Sequence, residues 1–408
     1  MKTETEEIEI VSLPPYTELR FLMNVKDSVT VEISDGLAYS FYWELPYRPI
    51  TFQQQPFPIT SFETGCKVKI SGTYISYYIS PLQIPQFLEN VKAEVDRNSP
   101  PVICVVGVPG VGKTSLCKSI CNFILRNTGK YPIYVNADPD QALFSPPGCI
   151  GALPVTDLIS NKGFTFTDPL VYFFGNTVIQ EDRQKLYVDQ MAELSIHIQK
   201  RRQNSIGFDG GVIIDFPSVT SPCISSSLDS VIESFGVSLI VVLANDKLHH
   251  QIRRKYPQIP IENLPMISGC IPLSKEMKNV IRDNMIKQYF YGDGSPELLP
   301  TNHLISKENV GLFSLGPLVN RHDQILMKME TPDPKNPSPV AFGSRLENCI
   351  LALVGNSTKN EMWKQNALGF LHVINFTEEG QLNVLKPART ALPSSTIIAS
   401  LIKWTASQ

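Results

Sequence analysis

The sequence is poor in charged residues and has no long hydrophobic segment. Charged side chains make up 18% of the 408 residues, below the usual ~25%, while a hydrophobic fraction of 42% excludes a globally disordered chain. The longest apolar runs, such as Leu239–Ala244, fall far short of the ~20 residues that a membrane span needs. The net charge of -3 excludes a protein that grips nucleic acid or membrane through bulk electrostatics. We therefore expect any RNA contact to be indirect or local.

A CxxC pair and a secretory signal are also missing. The eight cysteines are scattered and several lie in apolar runs, which favours buried thiols in a reducing compartment over disulfides or a zinc site. The N-terminus, MKTETEEIEI, is acidic and lacks the basic and apolar regions of a signal peptide. We expect a soluble intracellular protein with no membrane association.

Three regions follow one another along the chain. Short β-type runs broken by glycine and proline predict an all-β domain over residues 1–98, with a helix near Ile84–Arg97 leading onward. Continuous apolar runs that alternate with helix-length segments predict an α/β domain with a parallel sheet over 99–300. Short strands with turns return after Gly292 and predict a β-rich domain over 301–408. The predicted fold is multidomain, with a central α/β domain between two β domains.

The strongest motif is a glycine loop that opens the central region. Residues 107–114, GVPGVGKT, match GxxxxGK[ST] in full, between the apolar run Val102–Val106 and the helical stretch Thr114–Arg126. Glycines let backbone N–H groups converge on phosphate oxygens, and the helix N-terminus favours negative charge. Lys113 would reach the β- and γ-phosphates, and Thr114 would offer its hydroxyl to Mg²⁺.

The remaining members of this loop extend the predicted phosphate cradle. We expect the nucleotide to contact the residues Gly110, Val111, Gly112, Lys113, Thr114 and Ser115. A bulky side chain at Gly112 should block the approach of the phosphates. The motif predicts a nucleoside triphosphate as ligand.

Two aspartates lie at the ends of apolar strands and are candidates for metal binding or proton transfer beside the phosphates. Asp138 follows the strand Tyr131–Ala137, and Asp215 follows Gly211–Ile214. A carboxylate there can hold the water shell of the metal or accept a substrate proton. The alternative is an ordinary loop aspartate, and the sequence alone does not decide between the two residues. The basic clusters at 200–202 and 253–255 are more typical of solvated helix ends than of RNA contacts.

Longer stretches resemble one known family. They are the segments 102–154 (VICVVGVPGVGKTSLCKSI … PIYVNADPDQALFSPPGCIGALP), 169–177 (PLVYFFGNT), 282–292 (RDNMIKQYFYG), 17–21 (TELRF) and 367–374 (ALGFLHVI). Taken in their order along the chain, these segments resemble the P-loop subunit of the mRNA cleavage and polyadenylation machinery. That family includes the polynucleotide 5′-hydroxyl kinases. The sequences of residues 136–140, 147–150 and 215–218 are most similar to the fungal branch of the family. In that branch the protein is the subunit of cleavage factor IA.

The resemblance implies bound ATP and Mg²⁺, a nuclear location and protein partners. The main implied partner is the cleavage-factor subunit that also reads the RNA polymerase II tail, together with other cleavage and polyadenylation subunits. Glu18 matches the nucleotide-contacting glutamate of the family's first domain, and Asp138 matches its Walker-B-like aspartate, so Thr114 and Asp138 are the implied metal residues. The family's second contact in the first domain, a lysine, falls near Pro56 or Phe57.

The sequence departs from the active kinases of that family at three further positions. Their lid arginines fall near Leu273 and Lys278, and their RNA-stacking tryptophan falls near Ser218. Lysine lacks the bidentate fork of arginine, and serine offers no ring for stacking. We therefore expect an ATP-binding, non-catalytic scaffold subunit required for pre-mRNA 3′-end cleavage and polyadenylation. The alternative is an active RNA 5′-hydroxyl kinase.

Overall fold

The residues that the structure describes form four β-sheets and six α-helices in three consecutive regions. A computed structural model describes residues 8–53, 57–97, 100–165, 168–204, 207–267, 270, 272–292, 298–318, 333 and 335–405. Every cysteine lies in these ranges, none forms a disulfide, and seven of the eight are buried, as the sequence predicts. Among the described helices, none has the length and hydropathy to cross a membrane.

The first region consists of two antiparallel sheets around their own apolar core. Val29, Val31 and Ile33 alternate with half-buried neighbours and point into this core, as the period of a strand requires. One sheet has the order β1-β8-β3-β6 and the other β5-β4-β7-β2-β9. Their bounds are β1 Glu9–Leu13, β2 Thr17–Leu22, β3 Ser28–Gly36, β4 Tyr39–Ser40, β5 Trp43–Glu44, β6 Ile50–Gln53, β7 Pro58–Ser61, β8 Cys66–Gly72 and β9 Ser76–Pro81.

The central region is a seven-stranded sheet in the order β13-β12-β11-β14-β10-β15-β16. Its strands are β10 Val102–Gly107, β11 Ile133–Asn136, β12 Cys149–Pro154, β13 Leu170–Phe173, β14 Val212–Asp215, β15 Leu239–Leu243 and β16 Ile261–Leu264. Its helices, with the one that precedes it, are α1 Pro85–Asp96, α2 Lys113–Thr128, α3 Glu181–Asn204, α4 Pro222–Phe235, α5 Asp246–Lys255 and α6 Lys275–Tyr291. Strand β10 is buried along its whole length between parallel neighbours, β14 and β15, as the apolar run predicts.

The central sheet, predicted as a parallel sheet, is antiparallel at one edge. Strands β12 and β13 run antiparallel, β12 against β11 and β13 against β12. Twelve residues connect β11 to β12 and contain no helix, whereas a parallel return needs a crossover connection, usually a helix. The sheet is therefore mixed, with its parallel part around the glycine loop.

The last region is a second seven-stranded sheet in the order β17-β22-β21-β20-β23-β18-β19. Its strands are β17 Thr301–Ile305, β18 Gly311–Ser314, β19 Ser338–Pro339, β20 Ile350–Val354, β21 Ala367–Phe376, β22 Leu382–Lys386 and β23 Thr396–Ile398. One face packs on the central region, where the rings of Phe370 and Phe173 lie 5.9 Å apart. The end of the chain packs there too, with Trp404 stacked on Phe290 of α6. This sheet therefore holds the C-terminal end of α6.

The predicted domain boundaries at 98/99 and 300/301 stay predictions. Helix α1 lies before the first boundary, yet it packs on α2, and Leu88, Val91 and Val95 belong to the central core. The helix therefore fills the space between the first two regions.

Candidate nucleotide-binding site

The glycine loop connects β10 to α2 in a conformation that glycine makes possible. Gly110 and Gly112 have φ values of 79° and 95°, in the left-handed region. A Cβ atom at Gly112 would lie 2.6 Å from Cβ of Ile267. Gly112 is the N-cap of α2 and no side chain caps the helix, so its first N–H groups stay available to an anion.

Four residues of the predicted cradle differ in what they present to a ligand. Val111 is buried, its carbonyl accepts a hydrogen bond from the N–H of Ile267, and its side chain lies close to Gly107 at the start of the loop. Ser115 is half-buried, with its Oγ 3.6 Å from Sγ of Cys270. Gly110, Gly112 and Ser115 all line a cavity of about 270 Å³ in front of the loop.

The side chain of Lys113 lies along the loop, as a phosphate-binding lysine does. It is 7% exposed, and its ammonium donates to the carbonyl of Val108 at 3.2 Å and to Oγ of Ser218 at 2.8 Å. Burial lowers the pKa of Lys113, and the carboxylates of Asp215 and Asp138 oppose that shift. Ser218, near which the family resemblance places the RNA-stacking tryptophan, thus contacts the loop lysine directly.

The hydroxyl of Thr114 is bonded to Asp215, not to Asp138. It donates to Oδ2 of Asp215 at 2.5 Å, and Oε1 of Gln141 lies 3.1 Å away. The hydroxyl of Tyr134 donates to the same Oδ2 atom at 2.8 Å. Oδ1 of Asp215 is buried and has no hydrogen-bond partner in the described part of the chain. An orphaned carboxylate oxygen beside the loop threonine fits a divalent cation that also binds nucleotide phosphates.

Asp138 is half-buried at the wall of the same cavity, just beyond β11. Its Oδ1 accepts a hydrogen bond from the N–H of Asp140. Burial, with a smaller contribution from Asp215, raises the pKa of Asp138 to about 6. The carboxyl can therefore change its charge near neutral pH, which suits a proton acceptor or a metal contact.

This raised pKa predicts the effect of pH on the nucleotide-free protein. A carboxyl whose pKa is higher in the folded state favours folding below its unfolded pKa near 4, and that contribution is lost as pH rises through about 6. We expect Asp138→Asn to stabilise the nucleotide-free protein at pH 7.5 by about 1–2 kcal/mol, after allowance for solvent screening. Chemical denaturation at several pH values measures the difference. An equal effect at pH 4 would contradict this origin.

A second aspartate in this segment, Asp140, pairs with two cations of α6. Lys278 lies 2.9 Å from Oδ2 of Asp140, and Arg282 forms an ion pair with Oδ1. Lys278 and Arg282 are four residues apart, so both lie on one face of α6. Leu273 lines the cavity with an apolar side chain. The sequence prediction overlooked Arg282 as a cavity residue, although its helical spacing from Lys278 is a usable signal.

Glu18 is buried on β2, and its Oε2 lies 3.1 Å from the guanidinium of Arg20. Both residues line a narrow cavity of about 30 Å³, together with Ser115 from the glycine loop. The Nε atom of Arg20 is buried and has no hydrogen-bond partner within the described ranges. The first region thus places a carboxylate and an arginine beside the cradle. Arg20 lies within the TELRF motif and was not singled out from the sequence.

The other residues considered from the sequence that the structure describes line neither of these two cavities. Pro56 is outside the described residues, and Phe57 is buried against Phe52 in the core of the first region. In the basic cluster at the end of α3, Arg201 pairs with Asp168, and in that of α5, Lys255 pairs with Asp229.

Comparison with known proteins finds two family models that match consecutive parts of this chain. Residues 107–292 match the family model described as mRNA cleavage and polyadenylation factor CLP1 P-loop. Residues 298–406 match the model described as pre-mRNA cleavage complex II protein Clp1. Together the two models match well over half of the chain.

Individual relatives align over almost the whole length. The protein CLP1 homolog of Culex quinquefasciatus is 28% identical, with 94% of each chain covered. The polyribonucleotide 5′-hydroxyl-kinase Clp1 of Homo sapiens is 27% identical, covering 95% of this chain and 94% of its own. Among solved structures, the wild-type Clp1p–Pcf11p (454–563) complex matches with a TM-score of 0.84 and 22% identity over 98% of both chains. By its two matching family models, this chain belongs to the Clp1 family of mRNA cleavage and polyadenylation factors.

Proposed function

We propose that this protein is an ATP-binding, non-catalytic scaffold subunit required for pre-mRNA 3′-end cleavage and polyadenylation. ATP and Mg²⁺ are held by the glycine loop, with Gly110, Gly112 and Ser115 around the phosphates and Lys113 on the β- and γ-phosphates. Thr114 with Asp138 or Asp215 provides the metal contacts. Glu18 contacts the nucleotide from the first region. The cradle geometry and the orphaned Oδ1 of Asp215 support this assignment.

The observation that carries the non-catalytic part is the pairing of Asp140 with Lys278 and Arg282 of α6. Lys278 and Arg282 are held by one carboxylate, and the other predicted lid position is Leu273. An arginine directed at the transferring phosphoryl group is worth on the order of 10³–10⁵ in rate. With the cations bound to Asp140, that stabilisation is missing and the bound nucleotide persists.

The proposed setting is the nucleus, among other subunits of the cleavage machinery. One solved Clp1p structure is a complex with Pcf11p. We propose a corresponding partner here, the cleavage-factor subunit that reads the RNA polymerase II tail. RNA contact is indirect or local, since the chain carries a net charge of -3.

A second candidate function is RNA 5′-hydroxyl kinase. It is favoured by the pKa of Asp138 near 6, which suits a general base at neutral pH, and by Arg282 at the cavity wall. The human relative carries the name polyribonucleotide 5′-hydroxyl-kinase. In this function Asp138 accepts the proton of the 5′-hydroxyl.

One assay separates the two functions. We expect purified protein to carry intact ATP, and to transfer no more label from γ-labelled ATP to a 5′-hydroxyl oligoribonucleotide than Lys113→Ala does. The physical reason is the missing arginine clamp on the γ-phosphate. Bound nucleotide is identified by chromatography after denaturation, and transfer by gel electrophoresis of the RNA.

The control is Lys247→Ala, which removes an exposed lysine of α5 that lines neither cavity described above. It should match the wild type in both measurements. Robust transfer that Lys113→Ala and Asp138→Asn abolish would establish the kinase instead. A purified protein with an empty site, or with ADP only, would overturn the scaffold proposal.

A further inference from the structure

Lys118 is a half-buried lysine without an anionic partner. It lies on α2 one turn beyond Thr114, so both side chains lie on the same face of the helix. Its ammonium is 5.7 Å from the ring centre of Phe41 and 5.8 Å from that of Phe164. Neither a hydrogen bond nor an ion pair reaches it from the described residues. Burial lowers the pKa of Lys118, and the carboxylate of Asp215 opposes that shift.

One buried residue on the same face of α2 anchors the backbone of Phe41 and of Ile159, which lies five residues before Phe164. Asn122 is fully buried, and its Nδ2 donates to the carbonyl of Phe41 at 2.7 Å and to that of Ile159 at 3.0 Å. Its Oδ1 accepts from the N–H of Ile159 at 2.8 Å. The turn that carries Phe41 and the segment before Phe164 are therefore both bonded to α2. Hydrogen bonds of Asn122 therefore hold the backbone segments around Lys118 in place.

Lys118 also lies where two cavities meet. One is the phosphate cavity, and the other is a cleft of about 180 Å³ between the first region, α2 and α6. No Asp or Glu is among the described residues that line this cleft. Its polar lining includes the side-chain amides of Gln53, Asn161, Asn284 and Gln288. Cations, amides and aromatic rings without carboxylates are typical of sites for phosphate-bearing aromatic ligands.

We propose that this cleft binds a second nucleotide beside the bound ATP, with its phosphate on Lys118 and its base against Phe41 and the amides. The inference rests on the proposed function, because ATP is taken to fill the neighbouring cavity. The chemistry suits one base with one phosphate, either a free mononucleotide or one end of an oligonucleotide. If Lys118 served only to make cation–π contacts with Phe41 and Phe164, it would not need to lie at the junction of the two cavities.

The test uses the full chain saturated with Mg²⁺ and ATP, so that the first site is occupied. Uridine, uridine monophosphate and a short oligouridylate are titrated by calorimetry. Since a hydrogen bond to a charged group contributes about 1.5–3 kcal/mol, we expect the phosphate-bearing probes to bind at least about tenfold more tightly than uridine. Preference for the oligouridylate identifies an oligonucleotide end, and equal binding of the monophosphate identifies a free nucleotide.

The matched variants are Lys118→Met, which keeps the length of the side chain without its charge, and Lys118→Arg, which keeps the charge. Lys118→Met should weaken the phosphate-bearing probe by about tenfold or more, and Lys118→Arg by much less. Unchanged binding in Lys118→Met, equal binding of uridine, or no binding of any probe would overturn the proposal. The comparison of uridine with its monophosphate needs no variant, so it decides even if Lys118→Met does not fold.

The same preparations keep this inference separate from the proposed function. ATP content is measured on each variant, because Lys118 also lines the phosphate cavity, and the titrations are made at saturating Mg²⁺ and ATP. Wild-type protein purified without ATP would refute the scaffold proposal whatever the uridylate titration shows. If Lys118→Met lost its ATP, Lys118 would belong to the first site and the second site would be refuted.

Discussion

Replacement of Lys113 by alanine should empty the nucleotide site. The ammonium is buried, follows the glycine loop and contacts Ser218 at 2.8 Å, so its loss removes the cation nearest the expected phosphates. A ligand that binds only the folded state contributes about 4 kcal/mol at a thousandfold excess over Kd. We expect Lys113→Ala to lack bound ATP and to unfold at a clearly lower temperature, measured by chromatography of the released nucleotide and by calorimetry.

The outcome also bears on the role of the nucleotide in assembly. Lys247→Ala should keep both its ATP and its melting temperature, because Lys247 is exposed on α5. The affinity of Lys113→Ala for the partner should fall in proportion to the fraction of protein that has lost its ATP. If the site were empty and partner binding intact, an architectural role for ATP would be ruled out.

Asp215→Asn should abolish most of the magnesium dependence of ATP binding. The carboxylate accepts from Thr114 and Tyr134 through one oxygen and leaves the other, buried Oδ1 without a partner in the described structure. An amide keeps the shape but removes the charge that attracts the cation. We expect ATP affinity in the presence of Mg²⁺ to fall by about tenfold to a hundredfold, the effect of disturbing a shell around a metal. Affinity without Mg²⁺ should change little.

Asp138→Asn is the matched comparison, because the two aspartates lie at the carboxyl ends of neighbouring strands, β11 and β14. If Asp138 binds the metal directly, its variant should show the same loss of magnesium dependence. Titrations with and without EDTA measure both variants side by side. Full magnesium dependence in Asp215→Asn would contradict the assignment of Oδ1 to the cation.

The fold was predictable where one local pattern decides it. The buried run of β10, the glycine loop and the amphipathic start of α2 depend on residues close in sequence, and the sequence predicts all three. The direction of β12 and β13 was not predictable, because an apolar strand reads alike in a parallel and an antiparallel sheet. The connection from β11 decides it, and its path is a tertiary property.

The candidate site likewise has a part that local sequence decides and a part that tertiary packing decides. The sequence by itself determined the glycine loop, since its glycines and Lys113 lie within eight residues and act through local backbone conformation. Only the tertiary structure decided which aspartate meets Thr114, because Asp138 and Asp215 both end strands and their order in the sheet sets the distance. It also decided the pairing of Arg282 with Asp140, 142 residues away. Contacts between distant segments depend on packing, which sequence spacing does not encode.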